Sequence, residues 1–395
     1  MGIKYNQVEK MKNIYFNEEH LMLESMVRDF ASQELKPIAQ DIDKYSKFPK
    51  DSIKKISSLG LMGIPWPEKY NGGGMDTLSL VIVIKELAKA CVSTAVTVMA
   101  HTSLGTGPFY YFGTDNQKEK YLKKLASGEI LGAFGLTEPN AGSDAGNTQT
   151  TAVLKNDTFI VNGQKVFCTN AGFAGVITFT ARIIKDGVDQ GVGALFVDAD
   201  TEGLRLGPPE NKMGWKGSDT RSVYFDDMKI PAKNILGSPN KGFKQFLSTL
   251  TGGRITIAAL SLGIAEAAYE AAKDYTHERE AFGKKINKFQ SISFKLADMV
   301  TQIEAAKHLI YNAAWLKDQK KNIIKEAAIA KLFTSEMAMK ITTESIQIHG
   351  GYGYIREYNV ERLFRDAKIL EIGEGTSEVQ RMVISREILN TFNKQ

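Results

Sequence analysis

The spacing of hydrophobic residues changes twice along this chain of 395 residues. In the first third, apolar residues recur every three or four positions, a spacing that predicts amphipathic helices. The longest such run covers residues 17–46, where Asn17 is a candidate N-cap and Glu18 and Glu19 suit the first turn. Residues 1–129 are therefore expected to form an all-helical domain. Its other predicted helices cover residues 49–59, the stretch from about 78 past 94, and 117–125.

Short β-type runs replace the helical spacing after residue 130. Residues 130–136 predict a buried strand, and a hairpin is predicted about the turn dipeptide Asn156-Asp157. Glycines and prolines separate the later runs. Together they predict a small antiparallel, β-barrel-like domain over residues 130–236. The predicted strands after the first are 151–155, 158–167, 176–180, 192–197 and 222–225.

Long helices with few prolines are predicted from about residue 240 onward. Their length and their apolar stripes predict a four-helix bundle over residues 237–395. The order of helical, β and helical domains makes this an α+β multidomain protein. The four predicted helices are 243–278, 291–317, 325–348 and 376–392.

Composition narrows the class of protein. Hydrophobic residues make up 43% and charged residues 24%, as in ordinary soluble globular proteins. The net charge of +5 makes no case for nucleic acid. Two cysteines and five scattered histidines do not suggest a disulfide framework or a metal site. Because no signal peptide and no apolar run of membrane-spanning length is recognised, a cytoplasmic protein is expected, with a mature organellar form left open.

Motifs of several common enzyme classes are missing from the sequence. No GxGxxG follows a predicted strand, and there is no GxxxxGK[ST] loop, GxSxG elbow or HExxH helix. A nicotinamide-binding Rossmann unit, a P-loop, a serine hydrolase and a zinc protease are therefore not indicated.

A carboxylate between two glycines is the most suggestive feature of the C-terminal region. Glu374 lies between Gly373 and Gly375, so another molecule can approach it closely. Ser377 and Gln380 have the spacing of a capping box, which predicts that a helix begins directly after this turn. A carboxylate at a helix N-terminus is well placed to act as a catalytic base. An exposed surface turn is the alternative.

Four further blocks resemble the acyl-CoA dehydrogenase family, and they span most of the chain. The Glu374 turn falls where that family keeps its Glu-Gly-Thr active-site turn. Five matches in the same order resemble most closely the short- and medium-chain, butyryl-CoA dehydrogenase-like branch. The four blocks are GLTEPNAGSD at 135–144, FCTN at 167–170, HEREAFG at 277–283 followed by Phe289-Gln290, and QIHGGYGY at 347–354 continuing to Arg362 and Asp366.

The resemblance implies an FAD site. Leu136, Thr137 and Thr169 would hydrogen-bond the polar edge of the flavin, and Phe134 and Phe167 would lie against its ring. For the two aromatic residues core packing is the alternative, and for the threonines it is a simple strand position. Arg279 and Gln290 would bind the diphosphate and adenosine of an FAD shared with a neighbouring subunit, although Arg279 also fits a helix-end cation. This sharing implies a homotetramer, built as a dimer of dimers, and the remaining implied cofactor contacts are Ser143, Phe282, Phe289, Gln347, Gly350, Gly351, Thr376 and Glu378.

The same resemblance implies dehydrogenation of an acyl-CoA thioester to the trans-2-enoyl-CoA. Glu374 would remove the α-proton, the β-hydride would go to flavin N5, and electron-transfer flavoprotein would accept the electrons. Some family members carry the base on the long helix instead, at the position that Gly253 occupies here. Glu266 and Glu270 on that helix are interpreted as solvated or structural.

Two implied substrate contacts depart from the family pattern. Gly373 replaces a common tyrosine, which would widen the acyl pocket for a branched, cyclic or aromatic group on a short chain. Thr251 replaces an aspartate near the CoA adenine. An enoyl-CoA reductase, an oxidase or a non-dehydrogenase flavoprotein of the same fold are the alternatives. The remaining implied substrate contacts are Ser143, Phe243, Arg254 and Gly375.

Overall fold

The computed structural model of the protein describes residues 14–392. Residues 1–13 of the predicted N-terminal domain and residues 393–395 of the predicted C-terminal domain lie outside the described part. The described elements follow the predicted order of helices, sheet and helices. The domain boundaries at 129/130 and 236/237 fall at or between elements and stay predictions.

The first predicted helix is interrupted at Pro37. Helix α1 (Glu18–Phe30) begins after Asn17, whose side chain accepts a hydrogen bond from the His20 N–H at 2.9 Å. A π-turn and a 3₁₀ turn then lead to α2 (Ala39–Lys44). Because proline has no N–H and its ring crowds the preceding turn, the helix cannot continue regularly through it.

The helix α4 (Thr77–Ala90) is buried on nearly all sides. The carboxylate of Asp76 caps this helix by accepting a hydrogen bond from the Ser79 N–H at 2.8 Å. The left-handed Gly60 follows α3, as the sequence predicts. The other helices here are α3 (Lys50–Ser58), α5 (Val92–Met99), α6 (Gly107–Phe112), α7 (Asp115–Gln117) and α8 (Lys123–Ala126).

The middle domain is an eight-stranded sheet with the strand order β6-β7-β3-β2-β4-β5-β8, and β1 pairs with β4. Most pairs are antiparallel, as predicted, but β1 and β2 both run parallel to β4. The two strands lie end to end along one edge of β4. The strands are β1 (Leu131–Gly135), β2 (Thr151–Lys155), β3 (Thr158–Thr169), β4 (Ala174–Lys185), β5 (Val188–Asp198), β6 (Leu204–Pro209), β7 (Thr220–Pro231) and β8 (Ile235–Leu236).

The long helix α9 (Gly242–Glu278) joins the two helical domains. Its buried face belongs to one continuous apolar core that also includes residues of α4 and of the C-terminal helices. Its apolar stretch is long enough to cross a membrane, but 78% of that window is buried inside the protein, as expected of a core helix. The other C-terminal helices are α10 (Gln290–Asp318), α11 (Ile324–His349), α12 (Val360–Lys368), which was not predicted, and α13 (Ser377–Phe392); a two-residue hairpin, β9 (Glu280–Ala281) and β10 (Lys284–Lys285), follows α9.

Two acidic residues of α9 are structural, as the sequence analysis expected. Glu266 is buried, and its carboxylate lies 3.3 Å from the Lys307 ammonium and 3.7 Å from that of Lys89. Glu270 pairs with Lys89 at 2.7 Å. These ion pairs connect α9 with α4 and α10.

A buried ion pair holds the chain just beyond β1. The Lys165 ammonium donates to the Glu138 carboxylate at 2.6 Å and to the Thr180 hydroxyl at 3.0 Å. The same carboxylate accepts hydrogen bonds from the backbone of Gln149 at 2.6 Å and Thr150 at 3.1 Å. Burial alone would raise the pKa of Glu138, but the Lys165 charge and these hydrogen bonds hold it below its usual value. The pair therefore fixes both ends of the glycine-rich loop that carries Ser143.

Replacing Lys165 with methionine should destabilise the protein strongly. The Glu138 carboxylate would remain buried without its counter-ion, which costs about 3–5 kcal/mol. Urea unfolding of Lys165→Met measures this loss, with Lys155→Met at an exposed strand end as the matched control. A double variant with Glu138→Leu and Lys165→Met should recover much of the stability. A Lys165→Met variant as stable as the control would contradict the structural role of the pair.

Candidate active site

Glu374 lies on a turn between α12 and α13. Glu374 has a φ of 53° and Gly375 a φ of 94°, so two successive residues adopt the left-handed conformation. A non-glycine residue rarely adopts this conformation without support from its surroundings. The turn is therefore a specific, stabilised arrangement.

The helix cap after this turn differs from the predicted one. The Thr376 hydroxyl accepts a hydrogen bond from the Val379 N–H at 3.2 Å, so Thr376 is the N-cap of α13. The hydroxyl of Ser377 is buried and has no partner in the described part of the chain. The side chain of Gln380 instead donates to the carbonyl of Gly375 at 2.9 Å. The prediction of a Ser377–Gln380 capping box is wrong because the helix begins with Ser377 itself.

One oxygen of the Glu374 carboxylate, Oε2, is buried and has no hydrogen-bond partner among the described residues. Burial raises the pKa of Glu374 to about 7, and the positive charges of Lys331 and Arg254 limit this rise. The alternative of an exposed surface turn is therefore wrong. A carboxylate with this pKa can accept a proton near neutral pH.

Gly253 on α9 makes room for this carboxylate. A Cβ built on Gly253 would lie 2.2 Å from Glu374 Oε2 and 3.3 Å from Leu104 Cδ2. A side chain at position 253 would therefore have to displace the Glu374 carboxylate. This gives a steric reason why a base at position 374 excludes a base at position 253 in this chain.

The candidate substrate residues on α9 lie on both sides of Gly253. Arg254 is buried beside Glu374, and its Nε atom has no partner in the described structure. Burial lowers the pKa of Arg254, and the charge of Glu374 opposes this effect. The Thr251 hydroxyl bonds the Leu247 carbonyl at 3.0 Å. The Phe243 ring lies beside the glycine-rich loop, 3.5 Å from a Cβ built on Gly146.

Gly373 is not required by the shape of the turn. It has no left-handed backbone conformation, and a Cβ built there would make ordinary contacts with Ile369, at 3.4 Å and 3.9 Å. A side chain would therefore be tolerated at this position. Beyond these contacts with Ile369 the glycine leaves open space that a larger residue would fill.

The predicted flavin-edge residues come together where β1 and β3 end. The N–H of Val166 donates to the Thr137 carbonyl at 2.8 Å, which places the segment after β1 beside β3. Leu136 and Thr137 therefore lie close to Phe167 and Thr169. A β-bulge between Lys165 and Cys168 breaks the register of β3 with β7 at this point.

The two aromatic residues predicted to lie against the flavin ring, Phe134 and Phe167, differ in their surroundings. Phe134 stacks on Phe246 with ring centroids 4.1 Å apart, which favours the core-packing alternative for its ring. Phe167 lies in the bulge with a φ of 59°, and it is 65% exposed. Core packing is excluded for Phe167. An exposed aromatic side chain in a strained conformation fits a surface for a planar ligand.

A second group of predicted cofactor residues surrounds a cavity of about 640 Å³ at the other end of α9. A Cβ built on Gly350 or Gly351 would meet only open space, so a ligand can approach the backbone closely. The guanidinium of Arg279 lies 5.8 Å from the centre of the Tyr352 ring. Predicted residues that line this cavity are Arg279, Phe282, Phe289, Gly350 and Gly351, and the exposed Gln290 and Gln347 lie next to it in sequence.

One chain does not bring both groups to a common site. Arg254 and Arg279 mark the two ends of the relevant part of α9, and a rise of about 1.5 Å per residue separates them by about 37 Å. A single dinucleotide cannot contact both the Glu374 region and the Arg279 cavity of one subunit. Ser143 and Glu378 are both exposed, in the glycine-rich loop and in the first turn of α13.

Lys331 is a site residue that was not predicted from the sequence. It lies on α11, has no exposed surface, and donates a hydrogen bond to the Gly375 carbonyl at 2.7 Å. Burial lowers its pKa to about 8. A signal was present in the sequence, since Lys331 interrupts an alanine-rich helical stripe that is otherwise suited to a core.

Models of a protein family match all three domains of the chain. The N-terminal, middle and C-terminal domain models of acyl-CoA dehydrogenase match residues 17–129, 133–228 and 240–389. A probable acyl-CoA dehydrogenase of Bacillus subtilis, YngJ, is 52% identical over 95% of this chain and 100% of its own. The chain belongs to the acyl-CoA dehydrogenase family.

Other relatives extend this result. The CarC subunit of the caffeyl-CoA reductase-Etf complex of Acetobacterium woodii is 43% identical over 95% of this chain and 100% of its own. Butyryl-CoA dehydrogenase from Megasphaera elsdenii has a TM-score of 0.93 at 45% identity, covering 95% of this chain and 100% of that one. An acyl-CoA dehydrogenase from Bacillus anthracis in complex with FAD has a TM-score of 0.91 at 33% identity, covering 96% of this chain and 68% of that one. The protein is thus an oxidoreductase of the acyl-CoA dehydrogenase type.

Residues of this family member fit a flavin dinucleotide. The exposed Phe167 offers a surface for the ring, and Arg279 offers a guanidinium that suits a diphosphate. The open space above Gly350 and Gly351 allows close approach to the backbone. These features lie at two separate places in one chain, the bulge that carries Phe167 and the cavity that Arg279 lines.

Adding one methyl group at Gly253 should abolish acyl-CoA dehydrogenase activity without unfolding the protein. The new Cβ would push the Glu374 carboxylate from its position, whereas alanine is a better helix former than glycine by about 1 kcal/mol. We expect Gly253→Ala to retain its melting temperature and to lose at least about 100-fold in turnover with acyl-CoA.

Gly252→Ala is the matched control. A Cβ built on Gly252 meets only the flexible end of Lys317, at 3.3 Å from Nζ. This variant should keep nearly full activity. Equal activity of the two variants would contradict the steric argument.

Proposed function

We propose that the protein catalyses the FAD-dependent α,β-dehydrogenation of a short-chain acyl-CoA, with Glu374 as the base that removes the α-proton. The observation that carries the proposal is the carboxylate of Glu374, which has a buried oxygen without a hydrogen-bond partner among the described residues and a pKa raised to about 7. A base of this kind is ionised often enough at neutral pH and basic enough to accept a proton from carbon.

Two neighbouring cations stabilise the negative charge of the ionised Glu374 carboxylate. Lys331 and Arg254 are the cations that act on Glu374, from α11 and α9. The unpartnered Nε of Arg254 and the position of Phe243 beside the glycine-rich loop support a role for both in holding the thioester ligand. Bound FAD would supply the acceptor for the β-hydride.

We further propose that a neighbouring subunit completes each cofactor site. The separation of about 37 Å along α9 supports this, because the cavity lined by Arg279 is out of reach of the same chain's Glu374. A homotetramer built as a dimer of dimers fits this requirement. We propose the cytoplasm as its location. Electron-transfer flavoprotein is the proposed electron acceptor, in keeping with the Etf complex named for the Acetobacterium woodii relative.

An enoyl-CoA reductase is the second candidate, and the relative named as a subunit of a caffeyl-CoA reductase-Etf complex favours it. In that direction the protonated Glu374 would donate its proton to the α-carbon of the enoyl thioester. The same residue serves both directions, because the reverse reaction passes through the same transition state. The initial rates of acyl-CoA oxidation with oxidised electron-transfer flavoprotein and of enoyl-CoA reduction with its reduced form distinguish the two.

The purified protein should carry a flavin spectrum that bleaches when a reactive acyl-CoA is added without oxygen. Glu374→Gln should lower the rate of bleaching by at least about 1000-fold while acyl-CoA still binds, because Gln cannot accept the α-proton. In the wild type the rate should rise with pH up to about 7 and level off above it, since only the ionised carboxylate is a base.

Glu371→Gln is the control for this experiment, since Glu371 lies three residues earlier and pairs with Lys368 at 2.6 Å. It should bleach at nearly the wild-type rate. A colourless protein that cannot be reconstituted with FAD would refute the enzyme proposal. Normal turnover by Glu374→Gln would refute only the assignment of the base.

Gly373 is proposed to set the width of the acyl pocket. Gly373→Tyr should lower the rate for branched or aromatic acyl-CoAs relative to butyryl-CoA by about 10-fold or more, because the ring would fill the open space at Gly373. The measurement is the ratio of kcat/KM values across a panel of acyl-CoAs. An unchanged ratio would show that the pocket is limited elsewhere.

A further inference from the structure

We propose that Lys331 is a positioning residue for the base: its buried ammonium donates to the Gly375 carbonyl, holds the left-handed turn in place and sets a positive charge next to Glu374. This inference rests on the proposed function of Glu374. It concerns a residue on a different helix, α11, that need not touch substrate or cofactor.

The contact of Lys331 with the turn is more than a way to satisfy a carbonyl. The Lys331 ammonium donates to the Gly375 oxygen at 2.7 Å, and the Gln380 amide already donates to the same oxygen at 2.9 Å. A neutral side chain could supply the second hydrogen bond that the Gly375 carbonyl oxygen can accept. Burying an ammonium is costly unless its charge is compensated. The second, charged donor therefore indicates that the charge itself is needed at this place.

The conformation of the turn depends on the hydrogen bonds that its carbonyl groups accept. Glu374 and Gly375 are both left-handed, with φ values of 53° and 94°. The left-handed conformation costs a non-glycine residue about 1–2 kcal/mol. Gln380 also donates to the Glu374 carbonyl at 3.3 Å. Lys331 and Gln380 thus hold two successive carbonyls from α11 and α13, and their hydrogen bonds offset the strain that aims the Glu374 side chain at Gly253.

Among the charged groups that act on Lys331, Glu374 has the largest influence. Lys331 and Arg254 are the charged groups that act on Glu374. Lys331 is acted on by Glu374 and Arg254 and, more weakly, by Glu371 and Glu378. Arg254 is acted on in turn by Glu374 and by Arg386.

Among the described residues, loss of Lys331 would leave Arg254 as the one cation that acts on the Glu374 carboxylate. Removing a neighbouring positive charge raises the pKa of a carboxyl group. The base would then be protonated over much of the neutral range. The rate of α-proton removal would fall at pH 7 and recover at high pH.

The test compares Lys331→Met, Lys331→Gln and Lys331→Arg with Lys340→Met, an exposed lysine of the same helix. The titration of Glu374 is followed by its carboxyl infrared band, identified by its absence from Glu374→Gln. We expect Lys331→Met and Lys331→Gln to move the midpoint upward by about 1 to 3 pH units. Lys331→Arg should stay near the wild-type midpoint, and Lys340→Met should match it.

The pH profile of flavin reduction by acyl-CoA should move by the same amount. If Lys331→Met fails to fold, Lys331→Gln carries the same expectation, because it removes the charge and keeps a polar group. An unchanged Glu374 midpoint in a folded, neutral Lys331 variant would overturn the inference, even if its stability were lower. The infrared titration needs no turnover, so it tests Lys331 even if no acyl-CoA reduces the flavin and the proposed function fails.

Discussion

The contact between the Glu374 carboxylate and Gly253 is the constraint on which the rest of the site depends. The carboxylate occupies the volume that a side chain at position 253 would need, since a Cβ there would lie 2.2 Å from Oε2. This fit requires α9 and the Glu374 turn to be held at a fixed distance. The left-handed pair Glu374-Gly375, the Lys331 bond and the Thr376 cap all serve that requirement.

The helix α9 meets this requirement because it is a core element of two domains at once. Its buried face lies in a single apolar core shared with α4 on one side and with α10 and α11 on the other. Gly253 is thus placed by packing that involves most of the protein. The ion pairs of Glu266 with Lys89 and Lys307 hold the same helix against α4 and α10.

Buried charged side chains occur both at the loop after β1 and at the Glu374 turn, where they fix the backbone of the site. Glu138 and Lys165 fix the loop after β1, and Lys331 fixes the turn of Glu374. Each of these groups costs desolvation, which only a close partner offsets. Their presence next to the candidate flavin and base positions indicates that orientation there has been favoured over an apolar core.

The sequence by itself determined the features that depend on neighbouring residues: the Asn17 cap, the hairpin at Asn156-Asp157, the long helices and the Glu374 turn. Local hydrogen bonding and hydrophobic spacing are sufficient for these. Tertiary structure alone decided the parallel pairing of β1 and β2 with β4, the exposure of Phe167, and the proximity of Gly253 and Lys331 to Glu374. Those contacts join residues far apart in the chain. The burial that raises the pKa of Glu374 exists only once the helices that carry them have packed together.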